Sequence, residues 1–91
     1  MSFANTLKAL RVKAGKSRYR LARYSAVDQA YLLRLETGER SRPSRDVVLM
    51  IGFALVENSS TVSLDDVDEL LLAAGYAPLR RRGERLAPVG A

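Results

Sequence analysis

The side chains of this sequence that could bind a partner are mainly basic, and they are concentrated in its first half. Residues 1–45 hold eleven of the fifteen Lys and Arg residues but only three acids, whereas residues 46–79 hold six acids and no base. Basic groups clustered in this way attract phosphates, so we expect a polyanionic partner. The alternative is that they form ordinary solvated helix faces of mixed sign.

The residue types that most enzymes need are absent. The 91-residue sequence contains no Cys and no His, which removes thiolate nucleophiles, disulfides, the usual acid–base group at neutral pH and the commonest metal ligands. Four neighbouring acids could be interpreted as a metal site, but acids in the first turn of a helix also complement its dipole. We therefore expect no catalysis, no metal and no cofactor. The four acids are Asp65, Asp66, Asp68 and Glu69.

Composition and hydropathy predict a soluble cytoplasmic protein. Hydrophobic residues make up 47% and charged residues 27% of the chain, which is typical of a globular domain rather than a disordered one. The longest apolar stretch, Val47–Val56, is about half the length of a membrane span. The N-terminus has no apolar run that would indicate a signal peptide.

Apolar side chains recur at helical spacing along most of the chain and predict an all-α fold of five helices. Most of these helices begin at a Ser or Asp that can serve as N-cap, and three end before a Gly. They form a predicted domain of residues 1–79. Residues 80–91 are expected to be a basic, flexible tail, either a weak phosphate-binding arm or a solubilising segment. The predicted helices are Phe3–Ala14, Ser17–Tyr24, Asp28–Thr37, Arg45–Val56 and Ser63–Ala74.

The second and third predicted helices are separated by the short connection Ser25-Ala26-Val27. This spacing is typical of a helix-turn-helix, whose second helix lies in the major groove of DNA. Spacing alone is weak support, because any small helical domain contains such a pair. The residues around the pair make the interpretation more specific.

These residues resemble the XRE, or phage Cro/repressor-like, helix-turn-helix family. The resemblance covers residues 3–56 and continues more loosely to residue 79. Three positions depart from the family: Ala26 stands where Gly is usual, Arg18 replaces a Gln, and Leu33 occupies a position that is usually small or polar. A left-handed backbone at Ala26 would cost about 1 kcal/mol or more. The matching motifs are Leu10-Arg11 with Gly15, Leu21-Ala22, Leu35-Glu36-Thr37-Gly38 and Pro43-Ser44.

The resemblance implies a sequence-specific DNA-binding transcriptional regulator, most plausibly a repressor. The first motif helix would cross the sugar–phosphate backbone and hold a phosphate near its N-terminus, while the second presents side chains to base edges. The arginines that follow the second motif helix, which is predicted helix 3, would reach phosphates or the minor groove. The implied DNA-binding residues are Ser17, Arg18, Asp28, Gln29, Ala30, Tyr31, Leu33, Arg34, Arg40, Arg42 and Arg45.

Several of these residues also have structural interpretations. In the alternative interpretation Asp28 is an N-cap, since a carboxylate near DNA is otherwise costly. Gln29 is alternatively a plain solvated side chain. Arg34 reads guanine or contacts a phosphate. Ala30 and Leu33 can give only apolar contact, for example to a thymine methyl, and Leu33 belongs alternatively to the core or to an interface.

Two further groups of residues are expected to be mainly structural. Tyr19 and Tyr24 are interpreted as packing residues, and Tyr31 packs or contacts a phosphate through its hydroxyl. The family pairs the positions of Arg11 and Glu36 in a salt bridge. This salt bridge joins helix 1 to the end of predicted helix 3, the helix that reads bases and is called the recognition helix. We therefore exclude this pair from the DNA-binding residues.

Helices 4 and 5 carry more apolar residues than one buried face requires. Helix 4 is either central, covered by helices 1, 3 and 5, or meets another subunit with its spare face, and helix 5 has Leu64 and Leu72 off its main face. We expect a homodimer on a palindromic site, formed through helix 5 and the loop before it. The alternative is an antitoxin-like or adaptor module whose protein partner docks on helices 4 and 5. A third class is a basic protein that binds DNA or RNA without sequence preference.

Overall fold

A computed structural model describes residues 2–80, and within this range the chain forms five α-helices and no strand. The predicted all-α fold of five helices is therefore confirmed. Residues 81–91, which make up most of the predicted basic tail, lie outside the described residues. The helices are α1 (Phe3–Lys13), α2 (Arg18–Ser25), α3 (Gln29–Thr37), α4 (Arg45–Val56) and α5 (Leu64–Ala73).

Local capping explains where the helices begin. The side chains of Ser17, Asp28 and Ser44 each accept a hydrogen bond from the backbone N–H three residues later, at 3.1–3.2 Å. At the start of α5, the carboxylate of Asp66 accepts from the backbone N–H of Ser63 at 3.0 Å, which is the return bond of a capping box. These bonds satisfy amides that have no partner within the helix. The predicted caps are all found.

The core lies between α4 and its neighbours α5 and α2, and between α1 and its neighbours α3 and α5. Its fully buried side chains are leucines, valines and one isoleucine, whose burial supplies the main stabilising free energy. The principal contacts of α4 are with α5 and α2, whereas α1 packs mainly on α3 and α5. Of the two interpretations of α4, the one in which helices 1, 3 and 5 cover it is therefore met mainly at α5. The core residues exposed by less than 2% include Leu7, Leu21, Leu32, Leu35, Val48, Ile51, Leu55, Val67, Leu70 and Leu71.

The helices α4 and α5 approach each other closely at Gly52. A Cβ atom added at Gly52 would lie 2.8 Å from Cγ1 of Val67, closer than atoms in a packed interior approach. A second contact joins the segments that flank these two helices. The hydroxyl of Tyr76 donates to the carbonyl oxygen of Pro43 at 2.7 Å. The chain after α5 is thereby attached to the loop before α4.

Lys16 is a basic residue that the fold uses internally. Its side chain is buried, and its ammonium group donates to the carbonyl oxygens of Ala54, Leu55 and Glu57 at the C-terminus of α4, at 2.6 Å and 3.1 Å for the first two. These carbonyls have no partner within the helix and lie at the negative end of its dipole. Burial lowers the pKa of Lys16, against the opposing attraction of Glu57. Lys16 therefore caps α4, although the sequence groups it with the basic residues of the first half.

Part of the apolar surface of α4 and α5 stays open to solvent. Met50 and Phe53 on α4 are 40% and 49% exposed, and Leu64 and Leu72 on α5 are 48% and 45% exposed. The opposite faces of both helices are fully buried. The apolar excess of these helices is thus only partly absorbed by packing within one chain.

The acids of α5 make contacts within the chain. Asp66 also pairs with Lys13, at 3.1 Å, and Asp65 contacts the guanidinium of Arg80. The buried carboxylate of Asp68 accepts from the backbone N–H groups of Leu79 and Arg80, at 2.6 Å and 3.4 Å. These carboxylates attach the last described residues to the N-terminal half of α5. Between residues 2 and 80, no group of three or more such side chains is arranged to hold a metal ion.

None of the five described helices has both the length and the apolar character that crossing a lipid bilayer requires.

Candidate nucleic-acid interface

The two helices α2 and α3 are joined by a tight turn that directs the start of α3 outward. Ala26 has φ +60° and ψ 20°, in the left-handed region, as its position in the motif predicts. The hydroxyl of Ser25 accepts from the backbone N–H of Val27 at 3.2 Å, and the Val27 side chain is buried. The turn is therefore anchored on its inner side and strained at Ala26.

The faces of α3 are sharply divided. Leu32 and Leu35 are fully buried and attach the helix to the core. The residues on the opposite side are exposed, including Leu33 at 43%, so Leu33 does not belong to the core of this chain. Tyr31 is half-buried against the core. The exposed residues at the start and along the outer side of α3 are Asp28, Gln29, Ala30, Leu33 and Arg34.

Asp28 has a defined structural role. One of its carboxylate oxygens accepts from the backbone N–H of Tyr31 at 3.2 Å, which caps α3. The N-cap interpretation is therefore confirmed, and part of the carboxylate's charge is stabilised by the positive end of the helix dipole. Ser17 has the same role at α2, where its hydroxyl accepts from the backbone N–H of Arg20 at 3.1 Å.

A buried ion network lies beneath the two motif helices. Glu36, whose side chain is only 3% exposed, pairs with Arg11 through two hydrogen bonds of 2.6 Å and 3.1 Å. Arg11 also donates to the carbonyl oxygen of Lys16 at 3.0 Å, which places it across the connection between α1 and α2. The salt bridge implied by the family resemblance is present, and it fixes the end of α3 to α1.

Arg18 is a third member of this network that the sequence did not indicate. Its guanidinium donates to Glu36 at 3.2 Å, while its side chain stays 37% exposed. One side of Arg18 is thus held at the start of α2, and the rest reaches solvent. The sequence assigned Arg18 to a phosphate only, because nothing in a local pattern shows which carboxylate comes near a residue eighteen positions away.

Arg34 carries a weaker internal contact. Its Nε lies 3.5 Å from a carboxylate oxygen of Glu39, and both side chains are about half or more exposed. Exposed ion pairs of this kind contribute about 0–1 kcal/mol. Arg34 can therefore leave Glu39 for a stronger acceptor at little cost.

The segment after α3 places basic side chains next to Tyr31. Gly38 ends α3 with φ +85°, and the backbone N–H of Arg40 donates to the carbonyl oxygen of Arg34 at 3.0 Å. Tyr31, Arg40 and Arg42 then line one polar concavity of about 320 Å³. Arg45 is exposed in the first turn of α4, beyond this concavity.

Two tyrosine–arginine pairs on α2 were not anticipated from the sequence. Arg23 donates to the hydroxyl of Tyr19 at 3.2 Å and lies 5.9 Å from the centre of its ring. Arg20 donates to the hydroxyl of Tyr24 at 3.4 Å, and this hydrogen bond lowers the pKa of Tyr24. Tyr19 and Tyr24 are 55% and 41% exposed. Both therefore lie on the surface against neighbouring basic residues, whereas the sequence predicted packing residues.

Comparison with known proteins gives one finding. The model of a family described as a helix-turn-helix domain matches residues 2–52, which include α1 to α3 and most of α4. No match was found among curated proteins or among solved structures.

Proposed function

Because the chain belongs to the helix-turn-helix domain family, in its XRE-like group, we propose that it is a sequence-specific DNA-binding repressor. In this proposal α3 lies in the major groove of duplex DNA and the N-terminus of α2 faces the sugar–phosphate backbone. Domains of this family are typically non-enzymatic, and the protein would act in the cytoplasm by occupying a regulatory site.

The observation that carries the proposal is the exposed outer side of α3. Its start and outer side expose polar and small side chains together with Leu33, while Leu32 and Leu35 on the inner side are fully buried. A helix held in this way can enter a groove about 12 Å wide without disturbing the core. Had these outer residues been buried by the rest of the fold, the proposal would have been excluded.

Two side chains on this surface have the chemistry to read bases. The amide of Gln29 can bond N6 and N7 of adenine, and the guanidinium of Arg34 can bond O6 and N7 of guanine. Both are exposed, and the contact of Arg34 with Glu39 is weak. Ala30 and Leu33 would contribute apolar contacts in the same groove. Arg34 contacting a phosphate remains the alternative for that residue.

The remaining basic residues would position the protein on the duplex. Arg40 and Arg42 share a concavity with Tyr31, whose hydroxyl is a further donor toward a phosphate. Arg45 extends this surface. At the other end, the exposed part of Arg18 and the capped N-terminus of α2 at Ser17 offer a phosphate site. These contacts would supply affinity but no sequence preference.

We also propose that the protein binds as a homodimer. The apolar side chains of Met50 and Phe53 on α4 and of Leu64 and Leu72 on α5 are left exposed by one chain. Two-fold dimers of helix-turn-helix domains bind half-sites about one helical turn apart. In this proposal the predicted domain, residues 1–79, forms the dimer, and the predicted tail, residues 80–91, takes no part in it.

The same exposed apolar side chains support a second candidate function. An antitoxin-like or adaptor protein would use them to bind a different protein, and such a protein could also bind DNA through α3. Sedimentation of the purified chain separates the two cases. A concentration-dependent dimer supports the homodimer, and a monomer both free and on DNA contradicts it.

The proposal is tested by selecting bound duplexes from a randomised DNA pool. A sequence-specific regulator should enrich a defined sequence, which it binds about 10³-fold or more tightly than mixed-sequence DNA. A palindromic sequence would support the dimer. Recovery of no preferred sequence would favour the third class of function, a basic protein that binds nucleic acid without specificity.

The assignment of Arg34 is tested on the selected sequence. Arg34→Ala should relax the preference at one base pair by about 1–3 kcal/mol, because a bidentate contact to guanine is lost. Arg42→Ala is the matched control, since it removes an equal charge and should weaken all sequences alike. If the two variants have the same effect, Arg34 does not read a base.

A further inference from the structure

The two tyrosine–arginine pairs on α2 have the same chemistry but different surroundings. Each pair joins residues four positions apart, with a hydrogen bond from the guanidinium to the phenol hydroxyl and a contact with the ring. One pair is Tyr19 with Arg23, and the other is Arg20 with Tyr24. Because the two pairs lie on different flanks of α2, either pair can serve as the control for the other in a binding experiment.

The flank that carries Tyr19 and Arg23 continues into the start of the recognition helix. Both residues line a shallow concavity of about 420 Å³, together with Asp28 and Gln29 at the N-terminus of α3. Gln29 is the first residue of α3 that the proposed function assigns to a base. A group bound in this concavity therefore lies directly beside the bases that Gln29 would read.

The flank that carries Arg20 and Tyr24 lies toward the C-terminus of α4. The ammonium group of Lys16 is 5.4 Å from the ring centre of Tyr24, and the same group binds the carbonyl oxygens of Ala54 and Leu55. This flank faces the end of α4 and not the start of α3. It does not share the surface that α3 would present to DNA.

The guanidinium of Arg23 is held in place before any partner binds. The Tyr19 hydroxyl accepts one of its N–H groups at 3.2 Å, and the ring lies 5.9 Å from the guanidinium carbon. A side chain that is already ordered loses less conformational entropy when it forms a further contact. Arg23 is exposed and lines the concavity, and a guanidinium matches phosphate geometry well.

The concavity also contains a negative charge. The carboxylate of Asp28 lines it, although one oxygen is bound to the backbone N–H of Tyr31. A DNA phosphate that approaches Gln29 would be repelled by this carboxylate if no cation stood beside it. Arg23 is the one basic side chain among the residues that line this concavity.

We propose that Arg23, positioned by Tyr19, binds a backbone phosphate of DNA adjacent to the base contacted by Gln29. This inference rests on the proposed function and adds a contact on the flank of α2 to those at its N-terminus. The contact fixes how α3 lies in the groove. It also offsets the charge of Asp28.

The proposal is tested with Arg23→Ala and the matched variant Arg20→Ala. Affinity is measured against salt concentration on two duplexes, the one selected from the random pool and a mixed-sequence duplex about two helical turns long. Loss of one phosphate contact should reduce the slope of log K against log salt by about 0.9 and weaken binding about eightfold at 0.1 M salt. We expect this loss on both duplexes for Arg23→Ala, and no change in slope for Arg20→Ala.

The positioning role of Tyr19 has a separate readout. Tyr19→Phe removes the hydroxyl acceptor but keeps the ring and the charge of Arg23. We expect about two- to fivefold weaker binding with an unchanged salt slope, because no ionic contact is lost. An unchanged affinity would contradict the positioning role. Thermal unfolding of all three variants should match that of the natural sequence, since these residues are exposed.

Failure of this inference is distinguishable from failure of the proposed function. If the natural sequence binds neither duplex, the proposed function is wrong. If it binds, but Arg23→Ala and Arg20→Ala have equal slopes and affinities, the phosphate contact at Arg23 is wrong and the proposed function stands. A loss for Arg23→Ala on the selected duplex alone would also overturn the phosphate contact, because it would indicate a base contact instead.

Discussion

The helix pairs α2–α3 and α4–α5 are both joined by a short connection and both packed against the core, yet they expose opposite chemistry. The outer side of α2 and α3 carries arginines, tyrosines and Gln29. The helices α4 and α5 expose large apolar side chains, among them Phe53 and Leu64. The first surface is suited to a charged, hydrated partner, and the second to another protein surface.

The two pairs are also held to the rest of the fold by different forces. The end of α3 is fixed by the buried carboxylate of Glu36, which binds Arg11 and Arg18. By contrast, α5 is fixed to α4 by close steric contact between Gly52 and Val67. An ion network with defined directions holds the end of α3, whereas α5 is held by close packing at Gly52, supplemented by the exposed ion pair of Asp66 with Lys13 and the hydrogen bond from Tyr76 to Pro43.

Their connections differ in strain. Both contain a residue other than Gly in the left-handed region, Ala26 with φ +60° and Asn58 with φ +55°. Asn adopts this conformation readily because its side chain is short and polar, whereas Ala does not. The helix-turn-helix therefore stores strain that the connection between α4 and α5 lacks. Three predictions, each with its control variant, test the comparison of the two helix pairs.

The largest effect is expected at Glu36. Glu36→Ala should lower the free energy of unfolding by about 3–5 kcal/mol, because the partly buried Arg11 loses its carboxylate. Chemical denaturation measures the change. Glu39→Ala is the matched control, since its exposed contact with Arg34 should contribute no more than about 0.5 kcal/mol. Equal losses for the two variants would show that the network does not fix α3.

A smaller effect is expected at Gly52. Gly52→Ala should destabilise the protein by about 1–2 kcal/mol, because overpacking against Val67 outweighs the gain in helix propensity. The double variant Gly52→Ala/Val67→Ala should lose less than the sum of the two single variants, since the clash is then absent. Additive losses measured by denaturation would argue against steric contact as the constraint on α5.

The smallest effect is expected at the two connections. Ala26→Gly should stabilise the protein by about 1 kcal/mol, because Gly adopts the left-handed conformation without strain. Asn58→Gly should change stability by less than about 0.5 kcal/mol. Thermal unfolding distinguishes the two. A destabilised Ala26→Gly variant would mean that the turn is not strained.

The features that the sequence predicted are those set by local chemistry. The caps at Ser17, Asp28 and Ser44 each depend on residues within a few positions of one another, so a pattern reveals them. The left-handed turn at Ala26 was implied by the family resemblance, because Gly is usual at that position. The bounds of α4 were also predicted, since Ser44 and the apolar run mark its ends. The pair between Arg11 and Glu36 was implied by the family resemblance, which carries information about distant contacts.

The features that the sequence missed depend on residues that are distant in the chain. The contacts of Arg18 with Glu36 and of Lys16 with the end of α4 join residues 18 to 41 positions apart. A periodic apolar pattern also does not show which side of α4 remains exposed, so Phe53 could not be distinguished from a core residue. The list of DNA-binding residues remains a prediction, because exposure permits contact with DNA but does not establish it.

The buried Lys16 has a consequence for where this protein can be shortened. Lys16 lies in the connection between α1 and α2, yet all three acceptors of its ammonium group come from residues 54–57, beyond the segment that the family model matches. A fragment that stopped at residue 52 would lack all three acceptors and the whole of α5, which packs on α4 and α1. We therefore expect the unit that folds cooperatively to be larger than the matched motif, because Lys16 attaches the helix-turn-helix half to the last turn of α4.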